Sequence, residues 1–162
     1  MKIGFVGLGI MGKPMVRNLM KHGHELVEFD VVKPNVEMMV AEGAAAAENA
    51  AALAAECPVI ITMLPNSPHV KSVVCGEGGV LSTAKPGTIL IDMSSIAPLA
   101  SQEVAKACAE KGVRMLEGPV SGGEPKAIDG TMSIMCGGDE ELFKECLPIL
   151  QCMGGDITYC GA

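Results

Sequence analysis

Two rhythms alternate along the chain. Short, nearly unbroken apolar runs bounded by turn residues read as buried strands at residues 2–6, 25–30, 58–64, 88–92 and 113–116. Between them, apolar residues return every third or fourth position, the helical period. Met11, Met15 and Leu19 share one face of the first such stretch, and Gly23 ends it as a C-terminal cap. A second helix is predicted from near Pro34 to just before Gly43. The alanine-rich residues 44–55 read as a short strand or turn followed by a helix. Pro65-Asn66-Ser67-Pro68 predicts a loop and a helix start, with Ser67 as N-cap and Pro68 at the first helical position. Lys85-Pro86-Gly87 is a turn into the fourth strand. A helix from Pro98 buries Ala100, Val104, Ala107 and Cys108, and Gly112 ends it.

The last third is less regular. Gly118-Pro119-Val120-Ser121-Gly122-Gly123 follows the fifth strand as a loop. Short strands are predicted near residues 133–136 and 157–160, flanking a helix that begins at Asp139 with Glu140 and Glu141 in its first turn. Phe143, Leu147 and Leu150 form its expected apolar stripe, and Pro148 is expected to kink it. Strands alternating with helices predict an α/β fold: one Rossmann-type, doubly wound, mostly parallel sheet with helices on both faces, spanning residues 1–162. No internal repeat or linker divides it. In such sheets ligands bind beyond the carboxyl ends of the strands. Four loops meet that condition, at residues 7–12, 64–68, 93–97 and 119–123.

The first of these carries the strongest chemical signal. Gly7-Leu8-Gly9-Ile10-Met11-Gly12 is a Gly-x-Gly-x-x-Gly run between a strand and a helix, and Asp30 closes the next strand. Strand, glycines, helix, strand and acid together form a dinucleotide-binding fingerprint. Gly7 permits the tight turn, Gly9 lets backbone approach a pyrophosphate, and Gly12 lets the helix pack on its strand. The phosphates would meet the free N–H groups at the helix start. Asp30 would accept hydrogen bonds from the adenosine ribose and repel a 2′-phosphate. Val31-Val32 offers no arginine to hold one, which favours NAD over NADP, with Lys33 the one nearby cation on the other side of that balance. FAD uses a similar fingerprint, and a glycine-rich turn without a ligand is the plain alternative. Pro119-Val-Ser121-Gly122-Gly123 reads equally as a turn or as a small anion-binding concavity built from a hydroxyl and two N–H groups.

Composition narrows the rest. With 49% hydrophobic and 19% charged residues the chain should fold rather than stay disordered. It has no Trp, one Tyr and three Phe, so its core must be built from aliphatic side chains and 12 Met. A net charge of −7 argues against a nucleic-acid partner. No apolar run approaches the ~20 residues of a membrane span, and the opening residues do not read as a signal peptide. Seven cysteines, with no C-x-x-C pair, are expected to be reduced core residues of a cytoplasmic protein. His22, His24 and His69 lack metal-ligand spacing.

Gly4-Phe-Val-Gly-Leu-Gly-Ile-Met-Gly-Lys-Pro-Met15 resembles the cofactor signature of the β-hydroxyacid dehydrogenase family. Ile61-Thr-Met-Leu-Pro-Asn-Ser-Pro-His-Val70, Asp92-Met-Ser-Ser-Ile-Ala-Pro98 and Pro119-Val-Ser-Gly-Gly-Glu-Pro-Lys-Ala-Ile-Asp-Gly130 are similar to its tartronate semialdehyde (2-hydroxy-3-oxopropionate) reductase branch, with the 3-hydroxyisobutyrate dehydrogenases close by. The resemblance covers the whole chain. It implies hydride transfer between NAD and a short hydroxy or oxo acid, with a 3-hydroxyisobutyrate or succinic semialdehyde type substrate, or a stand-alone nucleotide-binding module without catalysis, as the alternatives. Met11 and its glycines would contact the pyrophosphate and Asp30 the ribose. Met63, Leu64 and Pro65 would line the route to the nicotinamide ribose, and Ser95 would lie near the nicotinamide. Ser121, Gly122 and Gly123 would bind the substrate carboxylate. The resemblance also implies a second, all-helical domain that carries the general acid/base lysine, a nearby asparagine and the contacts of a homo-oligomer. That lysine would lie beyond residue 162, so residues 1–162 alone are expected to bind nucleotide without turnover. A departure is Gly118, where the family usually has alanine.

Overall fold

The computed structural model describes residues 1–161. Six strands run parallel: β1 (Lys2–Val6), β2 (Glu25–Phe29), β3 (Ala45–Ala46), β4 (Val59–Thr62), β5 (Ile89–Asp92) and β6 (Arg114–Glu117). They lie side by side in the order β3-β2-β1-β4-β5-β6. The order reverses between β1 and β4, so the loops after those two strands diverge to opposite faces and open a crevice.

Helices cover both faces because the central strands β1, β4 and β5 are apolar and buried on both. On one face α1 (Gly12–Lys21), α2 (Lys33–Ala41), α6 (Gly123–Asp129) and α7 (Glu140–Leu150) pack on Ile3, Phe5, Ile61 and Ile91. On the other α3 (Ala50–Glu56), α4 (Ser67–Cys75) and α5 (Pro98–Glu110) pack on Val6, Ile60 and Leu90. The first-helix face is as expected, with Met15 and Leu19 fully buried and Met11 packed at the margin. That helix closes at His22, and Gly23 follows at φ +90°.

The sheet continues past β6 in a different sense. β7 (Val120–Ser121) and β8 (Met132–Gly137) are antiparallel, and β9 (Gly154–Gly161) runs parallel to β8 on its far side. Glu117 faces Gly137, Val120 faces Ile134 and Ser121 faces Ser133, one unbroken register. β6 and β7 are therefore one strand that leaves β5 and continues along β8.

Three expectations need correcting. Asn66, not Ser67, caps α4: its Oδ1 accepts the His69 N–H at 3.3 Å, and Ser67 is already helical. The buried stripe of α7 is Leu142, Cys146, Ile149 and Leu150, whereas Phe143 and Leu147 are half-buried flanks. The buried face is turned by about one residue from the expected one, and it packs against β6, β8 and β9. Residues 119–123 are not simply a loop: they hold β7 and lead straight into α6.

Candidate functional site: a cleft at the carboxyl ends of the strands

The crevice at the order reversal is a cleft of about 460 Å³. Its walls include Gly7 to Gly12, Asp30, and Met63 to Pro65. Ten of the residues expected to hold a cofactor thus meet in one place.

The three glycines have different surroundings. Gly7 sits at φ +107°, and a Cβ there would lie 2.0 Å from the Met63 carbonyl oxygen. A Cβ on Gly12 would lie 1.9 Å from the Gly7 oxygen. Both positions are closed by the protein's own backbone. Gly9 is the opposite case, exposed and with nothing within 4 Å of a Cβ. Met11 leads into α1 without a side-chain cap, and the first turn has no acidic residue. The Lys13 N–H donates to the Gly9 carbonyl at 3.2 Å and Pro14 has no N–H, so the Gly12 N–H at the head of α1 is the one left for an anion.

Asp30, half-buried past the end of β2, receives three hydrogen bonds. The Leu8 N–H donates to Oδ2 at 2.9 Å, the Val32 N–H to Oδ1 at 3.2 Å and the Asn35 amide to Oδ2 at 3.3 Å. The carboxylate is thereby tied to the glycine loop through Leu8. Lys13 donates to Asn35 Oδ1 at 3.2 Å, extending the chain of contacts to the first turn of α1. Asn35 carried no signal beyond its place after Pro34. Val31 is 83% exposed at the cleft mouth, an apolar flank suited to a planar base.

The opposite wall rests on buried polar groups. Thr62 donates to Asp92 Oδ1 at 2.9 Å, the Ser94 N–H donates to the same oxygen at 3.1 Å, and the Leu64 N–H donates to Ser94 Oγ at 2.8 Å. Burial raises the Asp92 carboxyl above its ordinary value, opposed by the bonds from Ser94 and Thr62. Glu117, its neighbour on β6, is raised by burial and then by the Asp92 charge. Ser95 is exposed one residue beyond and lies outside the cleft wall. Ser121, Gly122 and Gly123 are also exposed and outside it, at the junction of β7 and α6. Glu28 is fully buried on β2 with neither oxygen bonded. Burial, followed by the Glu42 charge, pushes its carboxyl up to about 7.

The family profile for the NAD binding domain of 6-phosphogluconate dehydrogenase matches residues 2–161. A 2-(hydroxymethyl)glutarate dehydrogenase of Eubacterium barkeri is 47% identical over 99% of this chain and 53% of its own length. The 2-hydroxy-3-oxopropionate reductase of Escherichia coli is 40% identical over 99% of this chain and 55% of its own. The Mycobacterium tuberculosis 3-hydroxyisobutyrate dehydrogenase solved with L-serine superposes with a TM-score of 0.95 at 38% identity, over 99% of this chain and 54% of that one. The chain therefore spans about half the length of the curated relatives it matches. With its glycine loop, its Asp30 and a matching profile along nearly every residue, the chain belongs to the NAD-binding domain family of the β-hydroxyacid dehydrogenases.

Proposed function

We propose that this chain is the cofactor half of an NAD-dependent dehydrogenase that acts on short carboxylic acids at the carbon β to the carboxylate. The observation that carries the reading is the cleft itself, where an open Gly9 and an uncapped α1 face the Asp30 carboxylate. Bound there, the nicotinamide of NAD supplies hydride exchange at its C4. The protein's part is to grip phosphates with backbone N–H groups, fix the ribose through Asp30, and aim the ring along Leu64 and Pro65 toward Ser95. Ser121, Gly122 and Gly123 take the substrate carboxylate, and a lysine of the second domain handles the proton on the substrate oxygen.

The substrate class follows from what the relatives' names share. 2-(Hydroxymethyl)glutarate, 3-hydroxyisobutyrate and L-serine each carry CH2OH on the carbon next to a carboxylate, and 2-hydroxy-3-oxopropionate carries the aldehyde there. The other substituent on that carbon is what varies. The run from Pro119 to Gly130 favours 2-hydroxy-3-oxopropionate. The higher identity to the 2-(hydroxymethyl)glutarate enzyme supports that longer diacid as the second reading. A panel of these four acids, offered to the enzyme that contains this chain, decides between them by kcat/KM.

Calorimetric titration with NADH and then NADPH tests the cofactor reading. NADH should bind more tightly. Asp30→Ala should cost about tenfold in NADH affinity, the order of a lost charge-assisted hydrogen bond, and narrow the gap to NADPH. Unchanged affinities for both would remove Asp30 from the ribose site.

A further inference from the structure

We infer that Asp92 is the positioning residue for the nicotinamide side of the cleft, acting through Ser94 on Leu64. The inference rests on the nucleotide-binding reading above. Strand register sets Val6, Thr62, Asp92 and Glu117 in one row across β1, β4, β5 and β6, at their carboxyl ends. Along β5, Leu90 packs into the helix layer of α3, α4 and α5, so Asp92, two residues on, points to the same face. An apolar residue would suit that face. Instead the row holds Thr62 at 0% and Asp92 at 1% exposure, with Ser94 following at 3%. Buried polar groups are costly unless bonded, and these are bonded to one another.

The bonds have a direction. Asp92 Oδ1 accepts hydrogen bonds from the Thr62 hydroxyl and the Ser94 N–H, which fixes the turn after β5. The Ser94 hydroxyl oxygen then faces the neighbouring loop and accepts the Leu64 N–H. Leu64 lines the cleft, and the Met63 carbonyl before it is the atom that closes on Gly7. A second stitch joins the same loops, the Ala97 N–H donating to Ser67 Oγ at 3.1 Å. The β4 and β5 loops are thus set as one unit by a carboxylate that lies beneath the cleft wall. A satisfied buried network of this kind holds its members rigidly. None of these residues bonds to Asp30 or α1, which form the adenosine and phosphate end.

That separation supplies the test. ADP occupies only the Asp30 and α1 end, whereas NADH also needs the Leu64 side. Calorimetry of the chain with each ligand should show Ser94→Ala and Asp92→Ala losing about tenfold in NADH affinity with ADP affinity unchanged. Asp92→Asn, whose Oδ1 still accepts both bonds, should restore NADH binding. The unchanged ADP affinity also reports that each variant is folded. If Ser94→Ala binds NADH like the parent, or if both ligands weaken together, the positioning role is overturned. A parent that binds neither ligand overturns the nucleotide reading, and this inference with it.

Discussion

The three glycines of the first loop answer to different neighbours, and substitution separates them. Gly7→Ala and Gly12→Ala place a methyl within 2.0 Å and 1.9 Å of backbone oxygen, so both should lower the melting temperature by several degrees. Gly9→Ala meets nothing within 4 Å and should melt like the parent while losing NADH affinity, because the methyl fills ligand space. Paired melting and titration curves check this, and a Gly9→Ala chain that binds normally would contradict it. The places of Gly7 and Gly12 were legible because a tight turn and a helix contact each demand glycine within a few residues. Glu28 was not legible, since nothing local marks a strand carboxylate as unpaired. Its folded value, raised from 4.5 to about 7, means the unfolded chain gives up the proton first. The stability it allows is complete below about pH 4.5, is lost as pH rises through about 7, and amounts to about 3 kcal/mol across that window. Urea denaturation at pH 5 and pH 8 should show that fall in the parent and a smaller one in Glu28→Gln.

At the scale of elements, helix starts were placed to within a residue, but the cap at each start was decided by geometry. α7 begins at Glu140, one residue after the expected Asp139, which instead caps it, its Oδ2 accepting the Leu142 N–H at 3.0 Å. At α4 the adjacent Asn66 and Ser67 could both serve, and geometry chose Asn66, leaving Ser67 Oγ to the Ala97 N–H. Asn66→Ala should therefore cost about 1 kcal/mol in thermal or chemical denaturation. Ser67→Ala should cost less, because the cap survives it. The reverse ranking would restore Ser67 as the cap. α6 escaped sequence reading for a physical reason. Only Ala127 of its seven residues is buried, so it has no apolar stripe. It is held from outside, by the Asn18 side-chain amide donating to the Ala127 carbonyl at 2.7 Å from α1.

At the scale of the whole molecule, burial governs the thiols. Cys57, Cys136 and Cys146 are raised to about 11 and Cys108 to about 12, each chiefly by burial, and Cys152 is buried as well. Cys75 and Cys160 are exposed. Since the thiolate is the reactive form, a mild alkylating reagent should modify those two in the native chain and reach the other five only on unfolding. Mass mapping of the labelled sites checks it, and rapid native modification of Cys108 would show that this core opens.

Strand and helix periods, the glycine turn and the acid closing β2 rest on chemistry within a few residues, so the chain order alone displayed the alternating α/β plan and the dinucleotide loop. Strand order, β3-β2-β1-β4-β5-β6, depends on which apolar faces find each other across the fold. That pairing brought Met63, Leu64 and Pro65 against the glycine loop, and it set Thr62, Asp92 and Ser94 together beneath them. It also carried β6 onward along β8, leaving Ser121, Gly122 and Gly123 at the β7–α6 junction rather than in the cleft wall. Register and burial are properties of distant partners, and no local pattern encodes them.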